Sequence, residues 1–289
     1  MYHVLRDSIV KRRFADLATQ LRRLKAMASR AMALGIAFIF FKASAQIVTN
    51  DKEDCEPCHV TESFLVELPF IQEKGTFQVI ASSEYDSGRG EHSLLFPISL
   101  EYGISDTWQV EAEWMAFGYS RGKKEPLIRG VGESALSVRH SFSREDSRNH
   151  LTGGFEIAFP TGKLGGNSIG YRPSMIYGRD FPTCHSLHLF SQLALDCVQK
   201  VRDRKGEPAA HELFVGGGAL VPLGDFCASA EITWNDNRWN HGGTVNELYV
   251  APGITWRLSD AWKCGVAVPV GLNNRSDRFQ VISRIMFEF

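Results

Sequence analysis

The chain has 289 residues, enough for one large domain or two small ones. Its mean hydropathy is -0.16 and no stretch of about 18 apolar residues occurs, so a bundle of membrane-spanning helices is excluded. The formal net charge of the whole chain is -1.

The first 45 residues differ from the remainder of the chain. Eight Lys and Arg residues precede the apolar run 31–41, and Ala43-Ser44-Ala45 follows it. A basic lead, an apolar run and an A-x-A site predict a secretory signal peptide (1–45) that is cleaved after Ala45. The alternative is an amphipathic N-terminal helix on a soluble protein. Cleavage would leave 23 basic and 31 acidic residues, a net charge of -8, which argues against a nucleic-acid partner.

The next segment, 46–74, contains Cys55-Glu-Pro-Cys58-His59. C-x-x-C-H is the attachment sequence of c-type haem: the two thiols bond the vinyl groups and the imidazole of His59 ligates iron as the proximal ligand. The motif therefore predicts a covalent haem c bound by Cys55, Cys58 and His59. A structural disulfide between the two cysteines, with His59 incidental, is the alternative. A thioredoxin-like pair would need a βαβ context, and a zinc site would need further nearby ligands.

The haem-motif segment is short, at about 29 residues, and is too small to enclose a haem by itself. We expect such a ring to be covered by the rest of the protein, with the segment acting as a plug or lying at a barrel mouth. His188, with inward parity near a rim, is a candidate distal ligand of the haem iron, and His185 in the adjacent turn is a second one. Ordinary rim or lumen histidines are the alternative for both.

From residue 75 onward apolar side chains recur at every second position, which predicts β-strands. In one such stretch Trp108, Val110, Ala112 and Trp114 share a face opposite Gln109, Glu111 and Glu113. Twelve strands are predicted: 75–85, 93–102, 108–118, 131–142, 150–159, 173–181, 186–196, 211–221, 226–234, 246–257, 262–271 and 279–289.

The predicted connections alternate between short turns and longer loops, as in outer-membrane barrels. Aromatic residues fall at strand ends, and the last strand ends on Phe289. Together these features predict an all-β fold: an antiparallel up-and-down transmembrane β-barrel of the outer-membrane type over 75–289, with a periplasmic N-terminus. The charges predicted to face inward are Glu111, Glu113, Glu133, Arg139, Glu156, Glu231, Arg257, Arg284 and Glu288. A soluble lipocalin-like barrel, with its apolar residues inside, has the same parity and is the alternative.

Three segments, Leu100–Trp108, Gly130–His140 and Phe155–Gly162, resemble elements of the outer-membrane transporter-like family named after the MetA pathway of phenol degradation. The resemblance covers about 75–289 and rests on barrel turns and a Pro-Thr-Gly loop. It implies an outer-membrane barrel with a transport role, and it brings no catalytic residues.

Two functions follow from these patterns. In the first, a single haem at the periplasmic N-terminus takes part in electron transfer across or at the outer membrane with a periplasmic cytochrome partner, similar to porin–cytochrome fusions of iron-oxidising bacteria. In the second, the barrel transports a small solute, including a hydrophobic one, and the Cys pair is structural. No catalytic constellation has convincing context, so an enzyme is not expected. The cysteines outside the motif are expected to be buried or unpaired thiols, and Gly216–Gly218 to be close packing in the barrel wall.

Overall fold

A computed structural model describes residues 60–88, 92–122, 127–144, 147–164, 168–182, 186–200, 211–238 and 245–289, with only the backbone at 199 and 200. All of them belong to one compact unit, Cys55–Phe289. The predicted signal peptide 1–45 lies outside the described residues. Within these ranges no helix has the length and apolar character needed to cross a bilayer.

The described chain is built from strands joined by turns and loops. The strands are β1 Phe77–Ser87, β2 His92–Ser105, β3 Trp108–Arg121, β4 Ile128–Gly130, β5 Ser134–Ser141, β6 Asn149–Phe159, β7 Ser168–Phe181, β8 Leu187–Lys200, β9 His211–Leu223, β10 Phe226–Asp236, β11 Asn246–Arg257, β12 Trp262–Ala267, β13 Val270–Gly271 and β14 Phe279–Glu288.

Each strand pairs with its neighbour in antiparallel register, and β14 pairs with β1, so the sheet closes into a barrel. The short β4 pairs only with β3, and β13 continues the line of β12 after a break. Pro269, which has no backbone N–H for the ladder, lies in this break. The wall therefore has twelve strand positions, which confirms the predicted fold class and strand count.

Two predicted strands are interrupted. The predicted strand 131–142 is shorter as β5, because residues 131–133 pair irregularly with β3. Gly132 N–H donates to Met115 O, and Met115 N–H donates to Glu133 O, each at 2.9 Å. The predicted strand 262–271 is divided into β12 and β13. The other strands agree with the predictions within a few residues, and the predicted strand 246–257 has the same bounds as β11.

The two faces of the wall differ in polarity as the alternation predicts. Leu136, Phe155, Leu193, Ile232 and Ile285 are exposed on the outer surface. Polar side chains of the same strands are buried on the inner face: Gln78, Ser99, Glu101, Gln109, Arg139, Thr152, His188, Gln192, Glu231, Thr233, Thr255 and Lys263. A lipocalin-like barrel with an apolar lumen is therefore excluded.

Aromatic side chains line the outer surface at the short-turn rim. Phe77 stacks with Tyr102 and with Phe289, at centroid distances of 4.3 and 5.6 Å. Phe226 stacks with Trp256 at 5.5 Å. Large rings at one level of a barrel are typical of a girdle at a membrane interface.

Candidate functional site

Residues 60–74, which precede the first strand, lie inside the barrel and are called the plug here. They form bends and extended backbone without a regular strand or helix. Val66 and Leu68 are 2% and 0% exposed. The lumen of the described barrel is therefore occupied by the chain's own N-terminal segment, as one of the two placements predicted for it.

One luminal carboxylate, that of Glu231 on β10, binds a turn of the plug. Its Oε1 accepts the backbone N–H of Phe64 at 3.0 Å, and its Oε2 accepts those of Leu65 at 2.7 Å and Val66 at 2.9 Å. The Ser63 hydroxyl lies 3.2 Å from the same Oε2. Hydrogen bonds to an ionised acceptor are the strong kind. This contact satisfies backbone donors that would otherwise be buried without a partner.

Two luminal arginines bind the same stretch of the plug. Arg284 on β14 donates to the carbonyl oxygens of Ser63 and Phe64, and its Nη1 lies 3.6 Å from Oε2 of Glu62. Arg139 on β5 pairs with Oε1 of Glu62 at 3.2 Å and with Glu101 of the wall at 3.1 Å. Arg139 is 3% exposed, so its two carboxylate partners replace lost hydration.

The far end of the plug is held by amides. Gln72 donates its backbone N–H to Oε1 of Gln109 at 2.7 Å. Its side-chain Nε2 donates to Gln78 at 2.7 Å and to Glu101 at 2.8 Å. Glu67 and Gln192 exchange two hydrogen bonds, at 2.8 and 3.0 Å. Polar anchoring therefore runs along the plug.

One side of the plug is apolar and meets an apolar patch on the inner wall. Val60, Val66 and Leu68 are buried in one cluster with wall residues Phe190, Ala194, Phe214, Leu220 and Cys227. Phe64 forms a second cluster with Ala267 and Ile282. Only polar and charged side chains were predicted to face inward, so this apolar patch was missed. The signal was available, because Phe190, Phe214 and Leu220 have inward parity.

Four inward glycines leave space for plug side chains. A Cβ at Gly253 would lie 2.7 Å from the Phe64 ring, and one at Gly265 would lie 2.8 Å from it. A Cβ at Gly216 would lie 2.7 Å from Val66, and one at Gly178 would lie 2.6 Å from Pro69. These distances are shorter than real Cβ contacts, so the wall is shaped to the plug. The predicted close packing at Gly216–Gly218 is observed, and part of it is packing against the plug.

The predicted haem residues Cys55, Cys58 and His59, and the second candidate His185, lie outside the described residues. His188 is buried on the inner face, and its Nδ1 lies 2.6 Å from Oδ1 of Asp180. The ring of Phe70 in the plug packs on it at 4.7 Å. The Nε2 edge of His188 faces Gly178, next to Pro69 of the plug, and has no hydrogen-bond partner in the described structure.

This packing leaves no gap for a haem plane at His188 while the plug is in place. Its role as a distal ligand therefore stays a prediction that requires the plug to move. Among the described side chains no group of three or more His, Cys, Asp or Glu is arranged to hold a metal ion.

The cysteines outside the motif differ from one another. Cys197 and Cys264 are free thiols. Cys227 is disulfide-bonded, so the expectation of an unpaired or merely buried thiol is wrong for this residue. The expectation failed because it compared only the cysteines of the barrel wall with one another.

The fold and the occupied lumen define the chain as a twelve-stranded barrel of the outer-membrane type. It is similar to the COG4313 outer membrane channel from Pseudomonas putida F1, with 11% identity, a TM-score of 0.61, and coverage of 81% of this chain and 100% of that one. The NanC porin has 13% identity and a TM-score of 0.51, over 73% of this chain and 98% of that one. The translocator domain of the autotransporter NalP from Neisseria meningitidis has 13% identity and a TM-score of 0.53, over 76% and 90%.

At these identities the likeness shows the fold alone. No family model matches the chain, and no curated protein matches it. The resemblance to the MetA-pathway family therefore stays a prediction.

Proposed function

We propose that this protein is an outer-membrane channel for small solutes and that the plug closes it in the described state. The apolar outer surface and the aromatic rim support a place in the bilayer. The fold shared with a channel and a porin is compatible with a transport role. Transport is thus favoured here over electron transfer.

The observation that carries the proposal is the way in which the lumen is filled. A separate segment of the chain occupies it, and hydrogen bonds, ion pairs and a small apolar cluster hold that segment. Water can replace such polar contacts one by one, so the plug can leave while the strand ladder stays intact.

The charge of the inner wall supports a preference for cations or neutral solutes. Among the charged side chains that face the lumen from the described strands, most are acidic. Two of the basic ones, Arg139 and Lys263, are paired with Glu101 and Glu288. The acidic residues are Glu84, Asp86, Glu101, Glu111, Glu113, Glu156, Asp180, Asp196, Glu212, Glu231, Glu247 and Glu288; the basic ones are Arg139, Arg172, Arg257, Lys263 and Arg284. Carboxylate-lined pores favour cations.

Planar-bilayer recording of the full-length protein tests the proposal. We expect brief openings in the wild type and a reversal potential of cation-selective sign in a KCl gradient. Leu68→Asp places a carboxylate in the apolar cluster and replaces no residue of the wall. This variant should lengthen the openings. Glu73→Gln, at an exposed position of the plug, is the matched control. Absence of conductance from both the wild type and Leu68→Asp, or anion selectivity, would contradict the proposal.

A further inference from the structure

We propose that the outer surface of the barrel binds one anionic glycerophospholipid, with an acyl chain in a groove across β6–β9 and the phosphate at Arg179. The site rests on the placement of the barrel in a bilayer and not on solute transport. Lipid binding is measured without conductance, so its failure and the failure of the proposed channel are distinguishable.

The groove is a depression of about 290 Å³ in the lipid-facing surface. The outward-facing side chains that line it come from four consecutive strands: Leu151, Met175, Tyr177, Ser191, Leu193 and Val215. The five large ones are between 37% and 53% exposed, so they stand at the surface as the walls of the groove. An open depression with apolar walls fits a flexible hydrocarbon chain.

Small residues form the floor of the groove. Ser191 on β8 is paired with Tyr177 on one side and with Gly217 on the other. The three atoms nearest to a Cβ added at Gly217 are the carbonyl oxygen of Phe190 and the Cα and Cβ of Ser191. No long side chain therefore lies directly over this position. Directly opposite residues have Cβ atoms about 5 Å apart, so two small residues side by side leave one continuous gap.

A cationic side chain lies at the short-turn end of the groove. Arg179 on β7 is exposed, and Tyr177, which lines the groove, is two residues away on the same face of the strand. Two strand residues rise about 6.6 Å, so the charge lies just outside the apolar part. The guanidinium carbon of Arg179 lies over the Phe181 ring at 5.2 Å, and no described carboxylate forms an ion pair with it. The ring therefore holds the cation at the surface, where it lacks a counterion.

A second polar group stands beside this cation. Asn149 on β6 is paired with Arg179, and its Oδ1 accepts the Tyr177 hydroxyl at 2.8 Å. That bond uses the acceptor of the amide and leaves its two N–H donors for a ligand. A guanidinium and an amide donor on neighbouring strands supply the hydrogen bonds that phosphate oxygens accept.

The combination of an apolar groove and an adjacent cation selects a lipid as the ligand. The groove faces acyl chains in the proposed bilayer location, and Arg179 lies toward the rim, where the headgroups are. A free phosphate ion would leave the groove empty, and an uncharged lipid would leave Arg179 without a counterion. An anionic glycerophospholipid satisfies both parts of the site.

Native mass spectrometry of the full-length protein in detergent, titrated with palmitoyl-oleoyl phosphatidylglycerol, tests the proposal. Wild type should bind one molecule more tightly than any further ones. Arg179→Gln should weaken this binding about fivefold, the usual effect of one cation at a lipid surface, whereas Arg179→Lys should retain it. Ser191→Leu fills the groove with an apolar side chain and should weaken binding about tenfold, which corresponds to the loss of roughly two methylene contacts.

Two matched controls lie elsewhere on the barrel and should bind the lipid like wild type. Arg278→Gln removes an exposed arginine at the opposite rim, and Ala112→Leu adds an apolar side chain to the outer face of β3. Phosphatidylcholine with the same chains should be affected by Ser191→Leu and not by Arg179→Gln. Heat-dependent gel mobility verifies that every variant forms a barrel.

Several results would overturn the assignment. Unchanged phosphatidylglycerol binding in either Arg179→Gln or Ser191→Leu would do so, as would equal losses in the control variants. Displacement of the lipid by an equal concentration of inorganic phosphate would assign Arg179 to a free anion. A dimer that Ser191→Leu dissociates would show that a second copy of the chain, and not a lipid, covers the groove.

Discussion

Replacement of Glu231 by Gln is the most direct perturbation of the plug. The carboxylate accepts three backbone N–H groups at 2.7–3.0 Å, and two of them share Oε2. The amide has nearly the same shape but only one acceptor oxygen and no charge. At least one plug N–H group therefore loses its acceptor, while the wall around β10 keeps its ladder.

The size of the effect follows from those contacts. A hydrogen bond to a charged group contributes about 1.5–3 kcal/mol, and one between neutral groups about 0.5–1.5 kcal/mol. Three bonds weakened by about 1 kcal/mol each give about 3 kcal/mol, which is about a hundredfold shift toward the open plug. Glu231→Gln should accordingly raise the open probability of single channels by about two orders of magnitude.

The matched control is Glu111→Gln, another luminal carboxylate, whose hydrogen bond goes to Ser137 of the wall and not to the plug. It should leave the open probability within a few-fold of wild type. Equal open probabilities for the two variants would refute the reasoning, because they would show that contacts of Glu231 with the plug do not hold the channel closed. Heat-dependent gel mobility verifies that both variants are folded.

Three further predictions concern the glycine spaces, the buried arginine and the outer face. Gly253→Ala should displace Phe64 and increase liposome swelling. The control Gly170→Ala, whose added Cβ would meet only Ala158 at 3.3 Å, should not increase it. Equal swelling of the two variants would show that Gly253 does not shape the plug site. Arg139→Met leaves Glu101 and Glu62 without their shared cation. It should lower the free energy of unfolding by about 3–5 kcal/mol, measured by urea titration in lipid. An unchanged titration midpoint would contradict this expectation. Leu193→Arg places a charge on the exposed outer face and should lower the free energy of unfolding in bilayers by about 2–4 kcal/mol. Ser105→Arg, near the rim, should lower it by less. Equal losses of stability would argue against a lipid-facing Leu193.

The wall of the barrel was predictable because its signal is local. Side chains of a strand alternate between two faces, so Trp108 and Glu111 reveal their environments from parity alone. The same rule predicted that Arg139, Glu231 and Arg284 face inward. It did not predict the irregular pairing at residues 131–133, the register shifts between β2 and β3 or the break at Pro269, since parity is silent about bulges and breaks.

The contents of the lumen were predictable only as one of two alternatives, a plug or a segment at the barrel mouth, because the contacts that decide between them join distant parts of the chain. Residues 60–74 have no period, and nothing in them indicates that Leu65 and Val66 bind Glu231 some 165 residues later. The inward glycines likewise acquire meaning only beside the plug. The sequence alone determined the barrel, its strand count and the polarity of its faces, because alternation is written into neighbouring residues. Only the tertiary structure decided that the barrel is filled by its own N-terminal segment, because that depends on complementary shape and hydrogen bonding across the closed wall.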